Sequence, residues 1–263
     1  MSHYSEKYPN RKREQIMPIE NNYLQSDLLK GTQKILAFDI EIAKELPDDF
    51  GDFKAQRPLG ISCAAALMGE GDFTVWHGGK QDGKYTEQMT EVEVLEMIDT
   101  LWSMVQAGYQ IYTWNGLGFD FDILFEESRG DARCKQMARS HVDMMFHFFC
   151  IKGYAISLDK AARGMGLEGK TEGMDGALAP KMWREGRYEQ VLDYVAQDVR
   201  ITLGLAQHCN REKSVRWTSN RGREQVCKLP VGWLPVEQAL RLPQPDTSWM
   251  STPWPRSKFT GWL

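Results

Sequence analysis

The sequence predicts an α/β fold built on a mixed sheet, in which an antiparallel three-stranded meander is followed by parallel strands with flanking helices. Residues 34–43, KILAFDIEIA, have the apolar content of a buried strand, and residues 61–69 and 72–78 are two apolar runs joined by a Gly-containing turn. Residues 86–107 carry apolar side chains at helical spacing and precede a fourth strand at 110–116. Because a strand that follows a crossover helix usually lies parallel in its sheet, we expect the fourth strand to be parallel.

The following segment continues the alternation of helices and strands. We predict a helix at 119–129, a strand at the start of 141–149, a helix at 157–165 with Ser157 as its N-cap, and a long helix at 187–207.

The last part of the chain has a different character. Residues 210–263 hold five of the nine tryptophans and six of the eleven prolines, which disfavours regular helix and central strand. We expect a basic hairpin with its turn near residues 220–222, followed by an irregular Trp/Pro-rich strap. The predicted domains are therefore a polar N-terminal arm at 1–32, a catalytic domain at 33–209 and this C-terminal extension at 210–263.

Composition narrows the class of protein. The five cysteines are odd in number and contain no Cys-x-x-Cys pair, and no run approaches the roughly 18 apolar residues of a membrane span. The N-terminus shows no apolar signal region, so we expect a protein of the reducing cytoplasm. The formal net charge of −4 leaves nucleic-acid binding open, because acids gathered around metals lower the sum while basic residues elsewhere can hold phosphates.

Two acids occupy one face of the first strand. Side chains alternate along a strand, so Asp39 and Glu41 point to the same side of residues 34–43. Unpaired buried carboxylates are costly, and their hard oxygens suit Mg²⁺ or Mn²⁺. The alternative is an ordinary strand whose end reaches water, with both acids solvated.

Two further positions place acids where they could converge on the first strand. Asp120 follows the fourth strand at a strand-to-helix turn, the edge at which α/β folds place their sites. Tyr194 and Asp198 lie one turn apart on the long helix, beside its buried stripe. Taken singly, Asp120 could be a first-turn acid that complements the helix dipole, and Asp198 could be solvated.

Together these pieces resemble a known set of motifs. Asp39-x-Glu41, Asn115-x-x-x-Phe119-Asp120 and Tyr194-x-x-x-Asp198 are similar to the three exonuclease motifs of the DEDD superfamily, which has a ribonuclease-H-like fold. The tyrosine four residues before the last acid resembles the DEDDy branch, whereas the other branch carries histidine at the position of Asp193. The likeness is to the proofreading exonuclease domains of family-B DNA polymerases and their stand-alone bacterial relatives, and it covers roughly residues 33–209.

The resemblance implies a two-metal-ion 3′–5′ exonuclease that acts on single-stranded nucleic acid, with DNA favoured, and releases nucleoside 5′-monophosphates. It implies a role in DNA repair. It also implies that two divalent cations, Mg²⁺ or Mn²⁺, are held by the four acids, that Tyr194 orients the attacking water, and that two residues border the terminal nucleotide, Asn115 and Phe119.

Two other functions remain open from the sequence. Residues 164–171, GMGLEGKT, satisfy the P-loop pattern from Gly164 to Thr171 and favour a nucleotide-binding protein, although the segment follows a helix and leads into a Gly- and Pro-containing stretch. A catalytically silent binding module with the same fold is the second alternative. Outside a P-loop, Lys170 is expected either to be an exposed loop lysine or to contact nucleic-acid phosphate.

Basic residues at the two ends of the chain offer further contacts. Those that surround Trp217 could follow a single strand by charge and stacking. Alternatively, the C-terminal extension packs on the core or docks a protein partner. In the N-terminal arm, residues 11–13 could touch nucleic acid, against a solvated tail as the alternative.

Overall fold

The computed structural model describes residues 34–47, 51, 53–170 and 176–263. The N-terminal arm predicted at 1–32 lies outside the described residues. A five-stranded sheet organises the fold. Its strands are β1 (Lys34–Ile42), β2 (Ile61–Met68), β3 (Phe73–His77), β6 (Tyr109–Thr113) and β7 (Val142–Asp143), and their order in the sheet is β3-β2-β1-β6-β7.

The sheet is mixed, as the sequence predicts. Strands β1, β2 and β3 form the antiparallel meander, while β6 pairs parallel to β1 and β7 pairs parallel to β6. The alternation of β1 divides its side chains between two cores. Leu36, Phe38 and Ile40 face one core, whereas Ile35 and Ala37 face the other, on the same side as the two acids.

Helices cover both faces of the sheet. The helices are α1 (Glu91–Gln106), α2 (Asp120–Glu127), α3 (Ala132–Ser140), α4 (Met144–Lys152), α5 (Leu158–Gly164), α6 (Ala179–Arg184) and α7 (Tyr188–Glu212). Helices α1, α2 and α3 pack on one face, and α5, α6 and α7 pack on the other, with α4 contributing to both cores. Helix α7 extends five residues beyond the predicted end at 207 and stops at Lys213, which is left-handed with φ 52°.

The start of α1 differs from the prediction at residue 86. A short hairpin, β4 (Lys80–Gln81) and β5 (Lys84–Tyr85), occupies part of the preceding segment. The Thr86 carbonyl then accepts a hydrogen bond from Trp183 Nε1 at 2.9 Å. The helix begins after Thr90, whose side chain and that of Glu93 form a reciprocal capping box.

The C-terminal extension packs on the core. Strands β8 (Ser214–Thr218) and β9 (Glu224–Lys228) form the expected hairpin, and two short helices follow, α8 (Val236–Ala239) and α9 (Ser257–Thr260). Trp262 Nε1 donates to the Leu117 carbonyl at 2.7 Å, and Phe259 is buried against Phe146 and Phe149. No helix in the described part of the chain is long and apolar enough to cross a membrane.

The alternative in which Trp217 stacks on nucleobases is wrong. Only 4% of Trp217 is exposed, because its ring packs edge-on against Phe148 with centroids 5.0 Å apart. Trp249 and Trp254 are the tryptophans of this extension that are mainly or about half exposed, at 67% and 48%.

Candidate metal centre

The end of β1 places two carboxylates beneath helix α7. Asp39 is half-buried, and Glu41 is 6% exposed. A register shift between Glu41 and Ile42 ends the regular pairing with β2. At this point Ser62 Oγ donates to the backbone carbonyls of Glu41 and Ile42, at 3.1 and 3.2 Å. The acids therefore lie at the carboxyl end of a central strand, where its ladder becomes irregular.

Helix α7 brings Tyr194 and Asp198 to the same point. Because α7 packs across β1 and β2, its flank faces the two strand acids. One carboxylate oxygen from each of Asp39, Glu41 and Asp198 lies within 4.8 Å of the other two. Asp198 Oδ1 is buried, and no hydrogen-bond donor reaches it among residues 34–47, 51, 53–170 and 176–263.

Asp120 adds a fourth carboxylate next to this group. It is the first residue of α2, and its Oδ1 accepts a hydrogen bond from the Ile40 N–H at 3.2 Å. Asp120 is close enough to Asp39 for its charge to raise the pKa of that carboxyl. We call Asp39, Glu41, Asp120 and Asp198 the acidic cluster.

Three carboxyls of the acidic cluster have raised pKa values, because hydrogen bonds and nearby positive charge do not fully offset the cost of burying them. Burial raises the pKa of Asp39 well above its ordinary value, and the charges of Asp120 and Asp198 add to the shift. Burial also raises the pKa of Asp120 to about 7. The pKa of Asp198 is raised by burial as well, although the ammonium of Lys170 opposes the change. Without cations, the cluster therefore retains protons that solvated carboxyls would lose.

Lys170 enters the cluster from the loop after α5. Its ammonium contacts Asp198 Oδ2 and donates to the Tyr194 hydroxyl at 2.8 Å, while its backbone N–H donates to Asp159 Oδ1 at 2.9 Å. Burial lowers the pKa of Lys170, but the charges and hydrogen bonds of Asp198 and Tyr194 together outweigh burial and raise this pKa overall. Lys170 is thus a counter-charge of the cluster and not an exposed loop lysine.

The same loop does not have the context of a P-loop. A P-loop leaves a strand and opens a helix, whereas this segment leaves helix α5 and its lysine pairs with a carboxylate. Of the pattern from Gly164 to Thr171, the last residue lies outside the described part of the chain.

Tyr194 keeps its proton at neutral pH. Burial raises the pKa of its phenol above the ordinary value, and the charges of Asp198 and Glu41 raise it further. The hydroxyl can therefore donate and accept hydrogen bonds beside the cluster, but it is a poor base.

Asn115 and Phe119 flank the turn that carries Asp120. Asn115 is left-handed with φ 75°, and its N–H donates to Asp143 Oδ1 at 3.0 Å. Phe119 packs edge-on against Phe53 with ring centroids 5.3 Å apart. Both residues are partly exposed.

Two buried acids that sequence reasoning missed hold this region in place. Asp143 caps α4 and accepts hydrogen bonds from the N–H groups of Asn115 and Leu117, and its signal was an acid immediately before an apolar helix. Asp122 is 1% exposed and pairs with Arg57 Nη2 at 2.6 Å, which fastens the segment after β1 to α2. No local sequence pattern predicts the ion pair between Asp122 and Arg57.

A family profile of the RNase_H superfamily matches residues 67–210, just over half of the chain. The chain belongs to the RNase H superfamily. The matched range contains Asp120, Tyr194 and Asp198, and the strand with Asp39 and Glu41 precedes it. Membership of this superfamily, together with the acidic cluster, supports a nuclease that uses divalent cations.

Comparison with curated proteins gave no match. Among solved structures, this superfamily member is similar to the family B DNA polymerase from the hyperthermophilic archaeon Pyrobaculum calidifontis, with 21% identity and a TM-score of 0.49 over 68% of this chain and 25% of the polymerase. It is also similar to a moderately thermophilic Exonuclease I from Methylocaldum szegediense, with 14% identity and a TM-score of 0.35 over 68% and 41% of the two chains. A product-bound exonuclease I matches with 14% identity and a TM-score of 0.34 over 69% and 44%. The chain thus spans less than half of each of these proteins.

Proposed function

We propose that the protein is a metal-dependent 3′–5′ exonuclease that shortens single-stranded nucleic acid, with DNA favoured, and releases nucleoside 5′-monophosphates. The observation that carries the proposal is the convergence of carboxylates from β1 and α7 within 4.8 Å, with Asp120 beside them, in an RNase H superfamily fold. A place in DNA repair and a cytoplasmic location belong to the same proposal. The five cysteines are all buried free thiols, which supports a reducing compartment.

Asp39, Glu41, Asp120 and Asp198 are the residues that would hold two divalent cations, Mg²⁺ or Mn²⁺. The donor set fits these ions because all its ligand atoms are hard carboxylate oxygens. The buried and unsatisfied Oδ1 of Asp198 supports the assignment, within the part of the chain that the structure covers. When bound, such ions activate the attacking water and neutralise the charge that develops on the leaving 3′ oxygen.

The neighbouring side chains supply positioning. The neutral phenol of Tyr194 would orient the attacking water through its hydroxyl. The Lys170 ammonium, which stays charged, would contact a non-bridging oxygen of the scissile phosphate. Asn115 and Phe119 would border the terminal nucleotide, and Phe53 would support the Phe119 ring from behind.

End-labelled substrates test this function. With Mg²⁺ or Mn²⁺, we expect a 5′-labelled single strand to give a ladder of progressively shorter products, and a label on the 3′ nucleotide to be released first as a mononucleotide. DNA and RNA are compared under the same conditions. Asp39→Asn and Asp198→Asn should each lose at least about 100-fold in rate, because changes even outside the ligand set cost up to that much.

Asp193→Asn is the matched control, since Asp193 is an exposed acid on the same helix as Asp198. It should retain the wild-type rate. Internal cuts, release from the 5′ end, or full activity of Asp39→Asn would each contradict the proposal.

A further inference from the structure

We propose that a strip of four cations, Lys160, Arg163, Arg221 and Arg223, binds the phosphates of a single-stranded nucleic acid whose 3′ end lies in the acidic cluster. We call this strip the basic track. Its role rests on the proposed exonuclease function and extends it to residues beyond the superfamily match, since the hairpin that carries Arg221 and Arg223 follows residue 210.

The track starts beside the acidic cluster. Lys170 contacts Asp198 through its ammonium and Asp159 Oδ1 through its backbone N–H. Arg163 Nε pairs with the same Asp159 carboxylate at 2.9 Å. The guanidinium of Arg163 therefore lies two contacts from the cluster, and its side chain is 57% exposed.

Helix α5 continues the track to the hairpin. Lys160 and Arg163 are three residues apart, which places them on one face of α5, about 4.5 Å apart along its axis. Lys160 Nζ donates to Asn220 Oδ1 at 2.7 Å, so the tip of the hairpin lies against this face. The backbones touch near Gly164, where an added Cβ would lie 2.1 Å from the Arg216 carbonyl oxygen. These contacts thus fix the backbone of the hairpin against helix α5.

The charges at the hairpin tip are available to a ligand. Arg221 and Arg223 are exposed in the turn between β8 and β9, and neither forms an ion pair with any described residue. Residues 158–170 and 214–228 together carry seven Lys or Arg against three Asp or Glu, whereas the whole chain has a formal net charge of −4. This surface is therefore opposite in sign to the protein as a whole and complementary to a phosphodiester backbone.

The track recognises phosphates and not bases. Trp217, the aromatic residue among the hairpin cations, is buried against Phe148 and offers no stacking surface. Binding along the track is therefore independent of base sequence, sensitive to salt and common to DNA and RNA strands.

A double variant at the hairpin tip tests the track. Fluorescence anisotropy measures the affinity for labelled 20-nucleotide oligo-dT and oligo-rU in EDTA at several salt concentrations. Each phosphate contact contributes about 0.7 to the salt dependence of binding to a single strand, so Arg221→Ser/Arg223→Ser should lower that slope by about 1.4. At 0.1 M monovalent salt, the same two contacts correspond to about 25-fold weaker binding.

Three comparisons isolate this effect. Lys135→Ser/Arg139→Ser, on α3 at the other face of the sheet, removes the same charge and should bind like the wild type. Arg221→Lys/Arg223→Lys keeps the charge and should restore the slope, which a purely structural role of the tip would not do. Hydrolysis of a dinucleotide, whose single phosphate occupies the cluster, should be unchanged in every variant.

The outcomes separate this inference from the proposed function. If the wild type degrades both substrates but the tip variant binds the 20-mer as tightly as the α3 control, the track is overturned and the exonuclease stands. If the wild type binds the 20-mer through the tip but hydrolyses neither substrate, the exonuclease fails and the binding surface stands. A wild type that neither binds nor cleaves overturns both.

Discussion

Replacing Asp39 with asparagine is expected to stabilise the metal-free protein. The oxygens of Asp39, Glu41 and Asp198 lie within 4.8 Å of one another. Two unit charges at that distance repel by about 3.5 kcal/mol at an effective dielectric constant of about 20. Because burial raises the pKa of Asp39, the wild type avoids part of this repulsion by retaining a proton. We therefore expect Asp39→Asn to raise the free energy of unfolding by about 1–2 kcal/mol in EDTA, with the amide preserving the shape of the side chain.

Divalent ions should reverse the order of the two proteins. An ion present at about 100 times its dissociation constant stabilises the folded wild type by about 2.7 kcal/mol, and a variant that lacks a ligand loses most of this gain. Urea unfolding in EDTA and again in excess Mn²⁺ measures both effects. Asp193→Asn, an exposed change on α7, should match the wild type in each condition.

The reversal is the diagnostic result. An asparagine variant that is less stable than the wild type in EDTA, and that gains as much from Mn²⁺, would refute the interpretation of Asp39 as a metal ligand under electrostatic strain. A general effect of salt would move all three proteins together.

Two further predictions concern the elements around the site. Gly164→Ala should destabilise the protein by about 1–3 kcal/mol, because the added methyl group would lie 2.1 Å from the backbone of β8. Gly204→Ala, inside helix α7, should stabilise the protein by about 0.5–1 kcal/mol, because the nearest atom to its methyl group would be 3.6 Å away. Burial lowers the pKa of His147 to about 4, and its Nδ1 accepts a hydrogen bond from the Leu234 N–H. The contribution of His147 to stability is therefore present above pH 6.5 and is lost as the pH falls toward 4. Between pH 6.5 and 5, the wild type should lose about 2 kcal/mol more than His147→Asn.

Urea unfolding measures both predictions. Equal stability of the two alanine variants would show that α5 and β8 do not touch at Gly164. A pH dependence that is unchanged in His147→Asn would show that the imidazole accepts a proton without leaving its buried site.

The elements that the sequence predicts well are those with a sustained hydrophobic pattern. The alternation of β1 and the helical spacing in α1 and α7 report directly which faces are buried. The β4–β5 hairpin escaped prediction because strands of two residues have no period. Its signal was Asp82-Gly83, both left-handed with φ 50° and 79°, a pair typical of the tight turn that the hairpin uses.

The acids of the candidate site could be predicted because their chemistry depends on residue type and on the element that carries each one. The contacts that support these acids could not be predicted from the sequence. The direction of the Lys170 side chain depends on Asp159, which binds its backbone N–H from another element. The anchoring of α2 likewise depends on an ion pair between Asp122 and Arg57, which lies in the segment between β1 and β2.

The acidic cluster destabilises the fold, and the packing of the core does not require it. Lys170 contributes a single positive charge at a point where four carboxyls meet, and the raised pKa values of Asp39 and Asp120 show that protons must supply part of the remaining compensation. Apolar side chains of similar volume would fill the same space without this penalty. Asp159 on α5 binds the backbone N–H of Lys170, and α5 is packed backbone to backbone against the basic hairpin. A continuous set of contacts therefore joins a surface suited to phosphates to a site suited to cations, an arrangement that a silent module would not need.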